Sequence, residues 1–302
     1  MKSHSSQSND QNQSDDESAK SSNAVRERHE KRSVMQASRL SARLIYAVIR
    51  QDGDEELNRP LISLVWSGLA AGILISLSVI AQASLHARLP DEDWRILVES
   101  LGYSAGFMVV IFGRMQLFTE NTITTVLPVV ADRSLTCLLK MLRLWAIVLA
   151  SNVLGCAIAS GFLSIPHVIP DEMTDSLLAV ARHATDGDMG QNFYRAMPAG
   201  IIIAAVVWIM PAAQGSSFLV ILAMTWLLAA SGSAHVVAGS VEAGLLVWAG
   251  QMSLAEAFSR FFLPVLAGNV AGGTAVFTLL TWGQVKNEVT GEQDGAAPAS
   301  DR

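Results

Sequence analysis

The chain of 302 residues carries two cysteines, and only 16% of it is charged, against roughly 25% in ordinary globular proteins. Cys137 and Cys156 fall in one apolar stretch. On a helix they would stand about 28 Å apart, at about 1.5 Å per residue, too far to bridge. That excludes a disulfide scaffold, and two such cysteines give no metal or redox pattern. Enzyme signatures are missing as well: there is no His-Glu-x-x-His, no phosphate-binding glycine loop and no Gly-x-Ser-x-Gly. The sequence therefore points to no enzyme, cofactor or metal. Its net charge of −6 offers nothing to a nucleic acid.

What is abundant is apolar. Hydrophobic residues make up 51% of the chain, and the charges are concentrated at one end. Residues 1–60 hold ten of the 21 Lys/Arg and ten of the 27 Asp/Glu. Residues 1–33 are Ser, Asn, Gln and mixed charge with little to bury, so a disordered tail without a cleavable signal peptide is expected. The segment 34–56 is predicted to be an amphipathic helix, with Leu40, Leu44, Ile45 and Val48 at helical spacing and Arg39, Arg43 and Arg50 on other faces. Such a helix suits the membrane surface or the protein's own cytoplasmic face. Its break is expected at Gln51, Asp52, Gly53 and Asp54.

Six apolar segments follow, at 61–83, 101–131, 135–162, 196–213, 217–248 and 258–282, each able to cross a layer of roughly 30 Å. The second is interrupted at 114–121 and the fifth at Gly232–His235. The connection 163–194 is the longest and carries Asp171, Glu172, Asp175, Asp186 and Asp188. An all-α integral membrane protein is expected, with a six-helix transmembrane domain at 57–284 and a disordered tail at 285–302. An even number of spans puts both termini on one side. Arg43, Arg50 and Arg59 precede the first span, and Arg133, Lys140 and Arg143 flank the second turn, so that side is predicted to be cytoplasmic. Arg88, Arg95, Arg182 and Arg195 lie on the other.

The halves repeat. Ser151, Asn152, Val153, Leu154 and Gly155 recur as Gly268, Asn269, Val270, Ala271 and Gly272, and the break at Thr119 recurs 116 residues on at His235. Three spans per half make the second copy inverted. In transporters of this plan the broken helices meet near the midplane and form the substrate site. Exposed backbone at that depth is tolerated only where it lines a cavity or is buried in protein. Gly106, Gly155, Gly161, Gly268, Gly272 and Gly273 would let helices approach closely.

Of six histidines, His235 alone lies inside an apolar segment, at a break, and imidazole can lend or take a proton near neutrality. Arg114, Glu120, Arg143 and Glu242 also sit at apparent membrane depth, where an unpaired charge costs at least ~2.5 kcal/mol. Pairing of Glu120 with Arg114 or Arg143 is expected.

Leu117–Phe118–Thr119, Tyr103–Phe107 before it, Ala230–His235 and the two small-Asn-x-x-Gly helices, in this order over 58–283, resemble the formate/nitrite transporter family. The stretches 49–53, 116–122 and 235–242 are similar to its YfdC-type bacterial branch. The resemblance implies a homopentamer of aquaporin-like protomers in the bacterial inner membrane, with six helices, an inverted three-helix repeat and two broken helices. The Asn-Pro-Ala pair of water and glycerol channels is absent. Each protomer would pass a small monovalent anion such as formate, with protons. Leu117, Phe118 and Thr119 look like the loop closing the pore. Tyr103 and Leu228 fall at constrictions, with Phe107 one turn along, and His235 matches the central histidine that shares a proton with the anion. Arg182 and Arg59 fall near vestibule lysines of the family. Gly200 and Gly239 stand where pore asparagines are frequent, and Arg114 and Glu120 where the family is small or neutral. A neutral-solute pore and a non-conducting membrane scaffold or sensor are the alternatives.

Overall fold

A computed structural model describes residues 40–295; the stretches 1–39 and 296–302, with the expected N-terminal tail, lie outside the described residues. The chain inverts the burial of a water-soluble protein. Ser100, Thr119, Asn152, Thr225 and Asn269 are buried, while Ile62, Trp66, Leu135 and Phe162 are more than half exposed. Apolar surface on that scale needs lipid or another protein against it, and polar groups without access to water must pair inside the bundle.

Helix α1 is Ala42–Leu57. The first span is α2 (Leu61–Leu74) with α3 (Ser76–His86), and the second is α4 (Arg95–Phe112), followed after a break by α5 (Phe118–Thr124) and α6 (Val126–Asp132). The third span is α7 (Leu135–Leu163). Helix α8 (Asp171–Thr185) follows, then the fourth span α9 (Met189–Ile209). The fifth is broken into α10 (Ser217–Ala230) and α11 (Val236–Trp248). The last, α12, runs from Leu254 to Gly295 with π-helical turns at Ala257–Phe262 and Ala271–Thr278. Five of the described helices are long and apolar enough to cross a membrane, and α10 with α11 supplies the sixth.

The halves pack alike. α2 lies along α7 in the first half and α9 along α12 in the second, each pair in the most extensive contact of its half. A Cβ at Gly72 would strike Asn152 O, and one at Gly155 would strike Leu69 O; a Cβ at Gly200 would strike Asn269 O, and one at Gly272 would strike Met197 O. Only glycine permits this approach. Gly200, expected on the substrate pathway, is thus a helix-crossing residue.

Several boundaries differ from the sequence reading. α1 is not broken at Gly53 but runs on to Leu57, because Gly53 packs against Thr124 O and not in a turn. The chain beyond 284 is helical to Gly295, since nothing in Asn287–Gly295 stops a helix already propagating from α12. The connection 163–194 holds α8, whose Met173, Leu177, Val180 and Ala181 are buried. Their i, i+4, i+7, i+8 spacing was a legible amphipathic signal. An Asp188–Gln191 capping box starts α9 seven residues before the apolar run at 196.

Candidate functional site

Both breaks are built from the same parts. At the end of α4, Arg114 is left-handed (φ 49°); its N–H donates to Ile111 O at 3.1 Å and Met115 N–H donates to Val110 O at 3.0 Å. At the end of α10, Gly232 (φ 66°) donates to Ala229 O at 2.9 Å and Ser233 N–H to Leu228 O at 3.1 Å. These are the paired bonds of a Schellman turn. An extended residue, Leu117 or His235, then starts the next half-helix. The structural mate of His235 is therefore Leu117, not Thr119, and the repeat runs at 118 residues here.

An asparagine closes each break. Asn152 Oδ1 accepts from Phe118 N–H at 2.9 Å, while its amide donates to Gly68 O and Gln116 O, both at 2.8 Å. Asn269 Oδ1 accepts from Val236 N–H at 2.8 Å, and its amide donates to Ala196 O at 2.8 Å and Ala234 O at 2.9 Å. Each asparagine satisfies two backbone groups at its break and ties them to a carbonyl inside a neighbouring helix, Gly68 O of α2 or Ala196 O of α9. The sequence marked them only as repeat members; they build the site.

Between the breaks, Thr119 Oγ1 lies 2.8 Å from His235 Nε2. His235 Nδ1 accepts from Ala238 N–H at 3.2 Å and so caps α11. A nitrogen that accepts carries no proton, which assigns the ring hydrogen to Nε2 and makes Thr119 its acceptor. Phe107 sets its ring edge-on to the imidazole at 5.1 Å and stacks in turn with Tyr103 at 5.2 Å. Thr119, Phe107 and Leu228 are wholly buried. Phe118 turns away and packs edge-on against Trp145 at 5.5 Å.

Cavities lie on either side. On the α1 side a cavity of about 400 Å³ is lined by Asp52 and Glu56 of α1 and by Arg114, Leu117, Glu120 and Met210. On the α8 side one of about 30 Å³ lies among Tyr103, His183, Arg195, His235, Glu242 and Phe261. A second, of about 210 Å³, shares Gln82, Val180 and His183 with it and reaches His86 and Glu99. His86 Nδ1 is 2.7 Å from Glu99 Oε2.

Several expected residues are elsewhere. Glu120 forms no ion pair with Arg114 or Arg143 among the described residues; its Oε1 is buried without a hydrogen-bond partner, and Arg143 faces outward. Arg114 lines the same cavity as Glu120 without reaching salt-bridge contact, and Arg143 sits on the outer face of α7. Arg59 is bound to Glu56 at 3.0 Å, and Arg182 to Gln251 at 2.8 Å. Neither lines a cavity described above. Arg195 does, from within α9, donating to Gly232 O and Asp186 O. The sequence counted it only as a topology charge, and the capping box was the signal that puts it inside a helix. A Cβ at Gly239 would meet the Phe261 ring, so Phe261 fills that corner. On α1, Asp52 is held above the usual carboxylate range by desolvation, opposed by the Arg114 charge.

A bundle of inverted halves whose breaks meet at a capped histidine, with a cavity on each side, is the architecture of a membrane channel or transporter and not of an enzyme. The formate/nitrite transporter family model matches residues 43–283, and the chain belongs to that family. The inner membrane protein YfdC of Escherichia coli is 37% identical over 256 residues, 85% of this chain and 83% of that protein. The formate channel FocA of Haemophilus influenzae is 24% identical over 242 residues, 71% of this chain and 84% of its own. Among solved structures, a pentameric formate channel with formate bound superposes with a TM-score of 0.65 at 18% identity, covering 75% of this chain and 98% of that one. An ion channel of the same family gives 0.67 at 23% identity, with 80% and 96% covered.

Proposed function

We propose that the protein is a channel or proton-coupled transporter for a small monovalent weak-acid anion of the formate type. It works as a homopentamer with one pathway per protomer, in a bacterial inner membrane with both termini in the cytoplasm. The observation that carries this reading is the Thr119–His235 pair joining the two breaks. An anion approaching from the α8 side meets Arg195 and the His235 imidazole, whose Nε2–H is held by Thr119, at the start of α11, where backbone N–H groups also favour negative charge. Beyond it the wall is apolar, and a bare anion there is far costlier than its neutral acid. Proton transfer to the ring has a structural consequence: an imidazolium has no lone pair for Ala238 N–H, so the cap of α11 would be lost. The relatives named for formate channels and the pentameric neighbour support the substrate class and assembly. Uptake of labelled formate, nitrite and small neutral solutes into proteoliposomes at two pH values tests it; flux of none of the anions at either pH would refute it.

A second reading, a pore for neutral solutes or neutral acids, is favoured by one observation. The α1-side cavity is lined by Asp52, Glu56 and Glu120 with one cation, Arg114, and Glu56 is already paired with Arg59, a lining with no surplus of positive charge to draw an anion in. The neutral members of the same panel separate the two readings.

A further inference from the structure

His235 has no spare hydrogen-bonding capacity, because Nδ1 is bound to the backbone and Nε2 to Thr119. A proton needed at the constriction must come from another group or cost one of those bonds. The cavity of about 30 Å³ beside it is walled by two polar side chains the machinery above leaves unused. Glu242, on α11 just under two turns beyond His235, is 3% exposed, and Tyr103, on α4, is 5% exposed. Neither side chain has a hydrogen-bond or ion-pair partner among the described residues, and both line this cavity. A buried carboxyl facing a space with room for about one water is high-stakes chemistry, because water or ligand there must satisfy it.

Resting on the transport reading above, we propose that Glu242, with a water held by Tyr103, is the proton-exchange site that serves the constriction from the α8 side. The step is a relay without redox change. The Glu242 carboxyl O–H gives its proton to the cavity water as that water gives one of its own to an oxygen of the arriving carboxylate anion. The neutral acid moves on past Phe107. The Glu242 carboxylate then recovers a proton from hydronium of the aqueous phase on the α8 side, passed through water of the adjoining cavity of about 210 Å³, past His183. Tyr103 positions the water through its hydroxyl.

The charged and titratable groups around Glu242 are few. His183 faces it from α8, Arg195 from α9 and Tyr103 from α4, with His235 on its own span. Farther out, α3 presents His86, tied to Glu99 of α4 beside Arg95. Cys156 of α7 donates its thiol to Gly72 O and Val237 O, and Arg260 of α12 donates to Gly187 O. Arg195 is the nearest cation, and its bonds to Gly232 O and Asp186 O keep it from closing an ion pair with Glu242.

The test uses the full-length protein in proteoliposomes, with formate uptake and internal pH followed together over a pH series. Glu242→Gln should lower uptake at neutral pH by at least about tenfold, the low end of the effect of a lost acid–base group being larger still, and should flatten the pH profile. Tyr103→Phe should shift that profile with a smaller loss. A carboxyl infrared band that titrates in the wild type and is gone in Glu242→Gln supplies a readout independent of substrate. An unchanged pH profile in a folded Glu242→Gln protein, or no titrating band assignable to Glu242, overturns the proposal. Wild type that moves no anion, yet shows the band, refutes the transport reading and leaves Glu242 as a proton-exchange site; without the band both fall.

Discussion

The two halves of the bundle share a backbone plan and differ in the residues that occupy it. At the two turns that need a left-handed residue, the second half has Gly232 (φ 66°) and Gly250 (φ 68°), whereas the first half has Arg114 (φ 49°) and Arg133 (φ 51°). A side chain in that region costs roughly 1–2 kcal/mol. At the start of the inner half-helix, the second half places His235 and, three residues on, Ala238; the first places Leu117 and Glu120. Glycine and histidine on one side and arginine and glutamate on the other make the second half the relaxed one and give it the buried imidazole. The first half is strained and charged. Arg133 gains something from its position, lying 5.9 Å over the Trp282 ring. Arg114 faces the α1-side cavity, where it is the single cation among three carboxylates.

Breaking the half that carries His235 should have the largest effect. His235→Phe removes both the cap and the Nε2–H and is expected to abolish weak-acid flux, by about 100-fold or more, in liposome uptake. His235→Asn keeps a good N-cap side chain and should leave a pore that still conducts, with a smaller loss of flux than His235→Phe and the pH profile of Glu242 retained. Asn152→Ala and Asn269→Ala test the equivalence of the halves. Each strips two backbone groups at its break of partners and cuts the tie to the neighbouring helix, and a loss of about 3 kcal/mol is expected from each in reversible unfolding in micelles. A large difference between the two would show that one break is held by other means.

The strain comparison predicts smaller effects of opposite sign. Gly232→Ala should destabilise by about 1 kcal/mol, and Arg114→Gly should stabilise the fold by a similar amount, measured as shifts in melting temperature. Arg114→Gly should also slow anion entry from the α1 side, so a stabilised variant with lower anion flux would mark the strain as functional. The smallest effect concerns Asp52. Its folded-state pKa lies above the ordinary value, by desolvation, so its contribution to stability is complete below the ordinary carboxylate range. That contribution falls away as pH rises through the raised folded value. Asp52→Asn should therefore stabilise at neutral pH, by less than about 1 kcal/mol given its partial exposure, and should change nothing in acid.

How far the sequence could be read is visible at particular residues. Apolar runs long enough to span a membrane are legible because hydrocarbon imposes one length and one composition on whatever crosses it. The breaks at 114–121 and Gly232–His235 were legible because polar and turn-forming residues have no other reason to interrupt such runs, and His235 stood out for the same cause. Partners were not legible. Glu120, Arg114 and Arg143 looked like an ion pair by depth alone, yet depth says nothing of direction, and Arg143 points outward while Glu120 Oε1 is left without a partner. Gly200 looked like a vacant pore position and is a helix crossing.

The sequence by itself determined the number and order of the spans, the inverted repeat, the two interruptions and the identity of the central histidine, because each is a property of local hydropathy or of residue spacing along one segment. Only the tertiary structure decided that Leu117 is the mate of His235, that Asn152 and Asn269 close the breaks, that Arg195 lines the cavity in place of Arg182, and that Glu242 and Tyr103 share a chamber beside the histidine. Each of those depends on which faces of helices distant in sequence meet, and that choice is made by close packing and by the need to pair every polar group away from water.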